Sequence, residues 1–520
     1  MNRVTRFAKD AGAAVWRARW WILAAMILCT ADQVIRMRAF HIRVLRSLQL
    51  WMFYCAATVA PVFIFGRFSR VVAPVLFWFW FLIESLQLWV LLNFNMVLGG
   101  NWILMVFSTS AAEVAEFVSG FATFGNIAFV TLAVAAAFAL AFFLGRVRRT
   151  WPSLSLASVG LAGLCVAFLF FMAPRVFRAP VSWAQISRDL QALSLMADTI
   201  PNWQAYRNLA RACRNGSELE LSVTGGPRLC VFIIGESTTR NHMGLYGYWR
   251  NTTPELDALR AEGGLTVFTD LTTTHPSTPE ALCSLLTGGD LSPENDFSVI
   301  FPALLKKAGY KTALLSCQGQ WQNRDVVGSY LFHSCDSRLF LQGNRVAGIL
   351  PDEVVLPEVE KALRENAAPF ALFVHLYGCH NAPVKRVPPG FVRDWPPDPA
   401  VLSEKARRKV DTYDTAVAYN DHIVSSIMRM VARQGGPSCV FFVSDHGESP
   451  ASKIWRDVKS RDTFEVPLCI WLSPEYRTRY PDVAAHLASA KDKPLKMNGL
   501  LDYLMELAGV RREGGDSREK

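Results

Sequence analysis

Apolar residues in this chain follow two regimes. Before residue 175 they run together: residues 47–66, 71–83, 117–145 and 150–174 contain no Asp, Glu, Lys or Arg. A helix rises about 1.5 Å per residue, so an uncharged apolar stretch of about 20 residues matches the hydrocarbon thickness of a bilayer. These four runs predict membrane-spanning helices, and a shorter run, Trp20 to Ala31, predicts a fifth. After residue 228 the apolar runs shorten and alternate with stretches of helical spacing. Strands are expected at 229–234, 311–316, 369–376, 438–444 and 466–472. Helices are expected at 253–261, 278–287, 300–308, 353–365, 404–432 and 496–508. Short buried strands separated by helices imply βαβ units and a mainly parallel sheet covered on both faces. The expected organisation is a transmembrane domain over 1–175, a polar and aromatic connector over 176–225, an α/β domain over 226–510 and a solvated tail over 511–520.

Composition supports the membrane regime, since 51% hydrophobic residues with only 19% charged is too apolar for an ordinary soluble protein. The net charge is +10, but residues 1–150 hold 14 Lys/Arg against 5 Asp/Glu, so 14 − 5 = +9 of it lies among the apolar runs. Basic residues flanking spans are what the positive-inside rule expects, and a nucleic-acid partner is rejected. Arg3, Arg6, Lys9, Arg17 and Arg19 keep the N-terminus inside. Arg67 and Arg70 mark a second inner loop, and Arg146, Arg148 and Arg149 a third. Five spans then place everything after about residue 175 outside, which in a bacterium is the periplasm. Arg36, Arg38, Arg43 and Arg46 run against that count, but four spans would move the Arg146–Arg149 cluster outside instead. Of the eleven cysteines, Cys317 and Cys335 bracket a polar, loop-like segment and are the expected disulfide of an oxidising compartment. Cys230, Cys439 and Cys469 lie inside strand-like runs and are expected as buried thiols.

Chemistry gathers at the ends of the expected strands. In "CVFIIGES" five apolar residues run into Gly235 and then Glu236; in "FFVSDHGES" Asp445 and His446 follow directly on an apolar run. "FALFVHLYGCHNAP" places His375 and His380 at and beyond the end of another strand, and "THPSTPEAL" places Thr278 at the mouth of a helix, followed by Pro279. Taken alone, Glu236 is as readily a first-turn acid and Thr278 most simply an N-cap. Open α/β sheets, however, gather their carboxyl strand ends at one edge, where ligands bind. Two carboxylates, an imidazole and a hydroxyl suit a borderline metal such as Zn²⁺. Metal coordination would make the Thr278 hydroxyl a nucleophile, and the helix N-terminus beneath it would favour a phosphate.

Together "GESTTRNHMGLYGYWRNTTPEL", "THPSTPEAL", "HLYGCHNAP" and "SDHGES" resemble the membrane-bound phosphoethanolamine transferases, the group that modifies lipid A and the lipopolysaccharide core and includes the mobile colistin-resistance enzymes. The resemblance runs over nearly the whole chain. It implies an N-terminal bundle of about five spans in the bacterial inner membrane and a periplasmic domain of alkaline-phosphatase/sulfatase-like fold. It also implies Zn²⁺ held by Glu236, Thr278, Asp445 and His446, with Thr278 the catalytic nucleophile and His375 and His380 near a second metal or the substrate phosphate. The activity implied is transfer of phosphoethanolamine from phosphatidylethanolamine to a lipopolysaccharide or lipid A acceptor through a phospho-threonine, by a monomer. In "FSTSAAEVAEF", Thr109 and Glu113 stand four apart and share a helix face; the resemblance implies that they contact the donor headgroup, although Met105 stands where the family usually has Asn. A further family histidine beyond "DHGES" is missing from "PASKIWRDVKSRDTFEVP", so Lys453, Arg456 or Lys459 makes that contact, or it is absent. Rival readings are a phosphoglycerol transferase or a phosphatase/sulfatase of the same fold, and a degenerate non-catalytic membrane scaffold. A sulfatase would want a Cys-x-Pro-x-Arg-like motif, which "STPEA" lacks.

Overall fold

The computed structural model describes residues 123–147, 204–213 except 206, 221–223, and 225–512 except 293, 296, 319–329, 343–349, 381–382, 398–402 and 453–456, with isolated positions before 170. The expected spans at 20–31 and 47–66, and almost all of 71–83 and 150–174, lie outside the described residues, as do Thr109 and Glu113. Helix α1 (Phe124–Val147, 24 residues) falls on the fourth expected span. Its described apolar side chains are largely exposed, Phe124 at 90% and Phe138 at 71%. Over the residues with described side chains, no helix is long and apolar enough to cross a membrane.

The chain divides into two compact units, the second of which includes Ile200–Lys520. That unit is built on a seven-stranded sheet of β1 (Leu229–Gly235), β2 (Leu265–Phe268), β3 (Lys311–Ser316), β4 (Ser337–Phe340), β5 (Phe370–His375), β6 (Ser438–Ser444) and β7 (Leu468–Leu472), in the order β2-β7-β6-β1-β5-β3-β4. From β6 to β4 every neighbouring pair is parallel; β7 runs antiparallel to β6, and β2 antiparallel to β7. The helices that matter here are α2 (Pro254–Ala261), α3 (Thr278–Thr287), α4 (Phe301–Lys307), α5 (Val355–Glu365) and α6 (Glu404–Ala432).

Continuous apolar strands make sense in this arrangement because successive side chains enter opposite faces of the sheet. Cys230, Phe232 and Ile234 of β1 join one core with α3, α4 and the C-terminal helices. Leu229, Val231 and Ile233 join a second core with α2, α5 and α6. In the first core Phe232 meets Phe301 edge-on at 5.0 Å and stacks on Phe373 at 5.1 Å. All five expected strands are in the sheet. The two that went unread, β2 and β4, are four residues each; β2 borders Gly264, and β4, "SRLF", is mostly exposed and carries no apolar run. The helices Pro474–Arg479 and Pro481–Ala490 also went unread.

The expected Cys317–Cys335 disulfide is not formed, and both are free, buried thiols. The reason is topological, since Cys317 belongs to the second core and Cys335 to the first, across the sheet from it. Burial pushes the Cys317 thiol well above its usual range. Cys230, Cys439 and Cys469 are fully buried thiols, as their place in apolar strands suggested.

Candidate active site

The parallel strands set the site. Gly235 pairs with Ser444 and Ile234 with His375, so the residues leaving β1, β6 and β5 emerge side by side at one sheet edge. Glu236 and Asp445 are therefore neighbours, although 209 residues separate them in the chain. The loop after β5 closes over Glu236: Cys379 N–H donates to the Glu236 carbonyl at 2.9 Å. Gly378 makes that approach possible. It has a φ of +52°, and a Cβ there would lie 2.6 Å from the Glu236 carbonyl oxygen, a position that only glycine fills.

Glu236, Asp445 and His446 are all buried, each offering one ligand atom within 4.8 Å of the others. His446 Nδ1 lies 2.9 Å from the Gly447 carbonyl. A carbonyl only accepts, so Nδ1 carries a proton and Nε2 is the ring nitrogen turned inward. That nitrogen lies 3.1 Å from Glu236 Oε1 and 3.5 Å from Asp445 Oδ2. Burial, and after it the charge of Glu236, push the Asp445 carboxyl up to about 7. Asp445 Oδ2 is buried and receives no hydrogen bond. Two buried carboxylates side by side form an environment that a cation would relieve, and two carboxylates with an imidazole are a zinc-type donor set.

Thr278 completes the group. Its hydroxyl donates to Glu236 Oε2 at 2.8 Å. The N-cap of α3 is Ser277, with Thr278 the first helical residue, so Thr278 is not the cap and its hydroxyl is directed into the cluster. The structure thus brings together Glu236, Thr278, Asp445 and His446. His375 joins them through Gln318, whose amide nitrogen lies 3.2 Å from His375 Nε2 and 3.4 Å from Glu236 Oε2. Ser316 Oγ stands 3.5 Å from His375 Nδ1. Burial drives the His375 pKa down to about 4 against the opposing pull of Glu236, which makes it a neutral imidazole at neutral pH. His380 sits further along the loop, its ring 5.7 Å from that of Tyr377 and its Nδ1 3.4 Å from an Arg386 guanidinium nitrogen. Lys453 and Arg456 lie outside the described residues, and Lys459 is exposed.

Sequence reasoning missed Gln318, Ser237 and Tyr413. Gln318 was findable by the rule that found Glu236, because "SCQ" leaves β3 at the same edge. Ser237 donates its hydroxyl to Glu236 Oε1 at 2.9 Å and its backbone N–H to Asp445 Oδ1 at 3.1 Å. Tyr413, from the middle of α6, donates its hydroxyl to the Ser237 carbonyl at 2.7 Å, a contact across 176 residues that leaves no local signal.

The family described as Sulfatase matches residues 228–510. "Phosphoethanolamine transferase EptC" of Escherichia coli (strain K12) is 30% identical over 306 residues, covering 56% of this chain and 52% of that protein. "Phosphoethanolamine transferase CptA" of Salmonella typhimurium is 27% identical over 505 residues, covering 89% of this chain and 84% of CptA. The chain therefore spans about half the length of EptC and most of CptA. Among solved structures, the C-terminal periplasmic domain of Escherichia coli EptC in complex with Zn superposes with a TM-score of 0.52 at 28% identity, covering 58% of this chain and 88% of that one. The integral membrane protein lipooligosaccharide phosphoethanolamine transferase A (EptA) from Neisseria meningitidis superposes with a TM-score of 0.66 over 96% of each chain at 16% identity, a likeness of fold. The chain belongs to the sulfatase family, and phosphoethanolamine transferases are among its relatives.

Proposed function

We propose that this protein transfers phosphoethanolamine from phosphatidylethanolamine to a lipopolysaccharide acceptor, a core sugar or lipid A, through a phospho-threonine on Thr278. The observation that carries the reading is the Thr278 hydroxyl at the first position of α3, 2.8 Å from Glu236 within the buried Asp445–His446 group. Glu236, Asp445, His446 and Thr278 would hold one Zn²⁺, and the solved zinc complex of the EptC domain supports that choice of metal. Bound there, zinc would lower the pKa of the hydroxyl and offset charge on the phosphate. Thr278 Oγ1 forms a bond to phosphorus, and the bond to the glycerol oxygen breaks. Diacylglycerol departs as the alcohol, and the hydroxyl proton has Glu236 Oε2 as its nearest acceptor. An acceptor oxygen then displaces Thr278 and restores its hydroxyl. Neutral His375 and the Gln318 amide would contact phosphate oxygens or a second metal, with His380 further out, and Thr109 and Glu113 would meet the donor ammonium.

The enzyme reads as a multi-pass protein of the bacterial inner membrane, with residues 1–175 as the membrane domain, 176–225 as a connector, 226–510 as a periplasmic catalytic domain and 511–520 as a tail. A lipid donor explains the anchor, since the substrate does not leave the bilayer. Mass spectrometry of envelope glycolipids from cells with and without the protein should show phosphoethanolamine appearing on a lipopolysaccharide species with the protein present. Phosphoglycerol in its place, or no change, would refute the proposal. A reporter active only in the periplasm should work when fused after residue 225 and fail near residue 148. The reverse pattern would invert the topology.

A further inference from the structure

We infer that Tyr413 is a positioning residue for the two carboxylates: its hydroxyl holds the Ser237 turn in the conformation from which Ser237 orients both Glu236 and Asp445. The inference rests on the reading that those carboxylates hold zinc. Ser237 has a φ of +57°, a left-handed backbone that a non-glycine residue keeps only when its surroundings enforce it. In that conformation its N–H meets Asp445 Oδ1 and its hydroxyl meets Glu236 Oε1, so one residue fixes an oxygen of each carboxylate. Relaxation to an ordinary φ would swing the N–H away from Asp445.

The enforcement comes from α6. The Tyr413 hydroxyl donates to the Ser237 carbonyl at 2.7 Å and accepts from the Thr239 N–H at 2.9 Å, pinning the turn from both sides. Tyr413 is fully buried, and burial holds its hydroxyl in the protonated, donating form. The ring is itself braced. His242 stands edge-on to it at 5.3 Å and contacts Asp414 through Nδ1 at 2.6 Å. Asp414, the residue after Tyr413, also takes Tyr248 at 2.9 Å and Arg250 at 2.6 Å, both from the same loop. This buried network locks α6 to the 237–250 segment, with the tyrosine hydroxyl as its point of contact with the site.

The test uses purified full-length protein, with zinc affinity read by competition against a chromogenic chelator. Tyr413→Phe keeps the ring and its packing and should bind zinc ~10–100-fold more weakly, the range for groups that orient a ligand. Glycine adopts positive φ without help, so in a Ser237→Gly background the same tyrosine change should alter affinity by less than ~3-fold, a non-additive result expected of coupled residues. Wild-type affinity in Tyr413→Phe, or an equal loss in both backgrounds, would overturn the inference while leaving the metal site standing. A wild-type protein that takes up no zinc would overturn the zinc reading, and the inference with it.

Discussion

Thr278→Ala abolishes transfer, lowering turnover by at least ~10³-fold, as expected when an attacking nucleophile is removed. The effect is confined to chemistry. Thr278 is half-buried at the first position of α3, Ser277 remains as N-cap and Pro279 follows in the first turn. Alanine is a good helix former, so the fold and α3 survive. Glu236, Asp445 and His446 also remain, so the variant keeps most of its zinc. Thr278→Ser keeps a hydroxyl at the same reach from Glu236 and retains part of the activity. Stopped turnover in a folded, metal-loaded protein separates a nucleophile from a structural threonine. Undiminished transfer by folded Thr278→Ala would end the proposed mechanism.

Asp445→Ala or His446→Ala strips the metal. Each removes one of three buried ligand groups, and the loss should exceed the ~10–100-fold that follows from deleting a group that merely supports a ligand. Elemental analysis should find about one zinc per wild-type chain, as a site with this donor set holds, and little in either variant. The site also predicts a pH dependence with a definite sign. Without metal the Asp445 carboxyl is pushed up to about 7 by burial and by Glu236, and a carboxylic acid must lose its proton to bind zinc. Affinity should therefore fall as pH drops through about 7, with a proton released on binding. Full occupancy in both variants would remove these residues from the site.

What could be read in advance followed from physics local to the chain. The strands buried on both faces announced themselves as apolar runs, and the parallel arrangement then dictated that Glu236, His375 and Asp445 share an edge. The short edge strands β2 and β4 had no such run to show. Cysteine spacing misled because a polar intervening segment says nothing of which face of the sheet each thiol enters, and Cys317 and Cys335 enter opposite faces. Thr278 was legible as a helix-start residue, but only tertiary structure separates a capping hydroxyl from one turned toward Glu236. Gln318 could have been read from its place just after β3, but Ser237 and Tyr413 act through contacts spanning 208 and 176 positions. No local pattern encodes such contacts.

The covalent intermediate is the central claim, and intact-mass analysis reads it directly. Purified wild-type protein given phosphatidylethanolamine without acceptor should gain the mass of one phosphoethanolamine group, mapped by peptide analysis to the segment containing Thr278, and should lose it when lipopolysaccharide is added. An adduct on any other residue, or none while diacylglycerol is still released, would contradict the account.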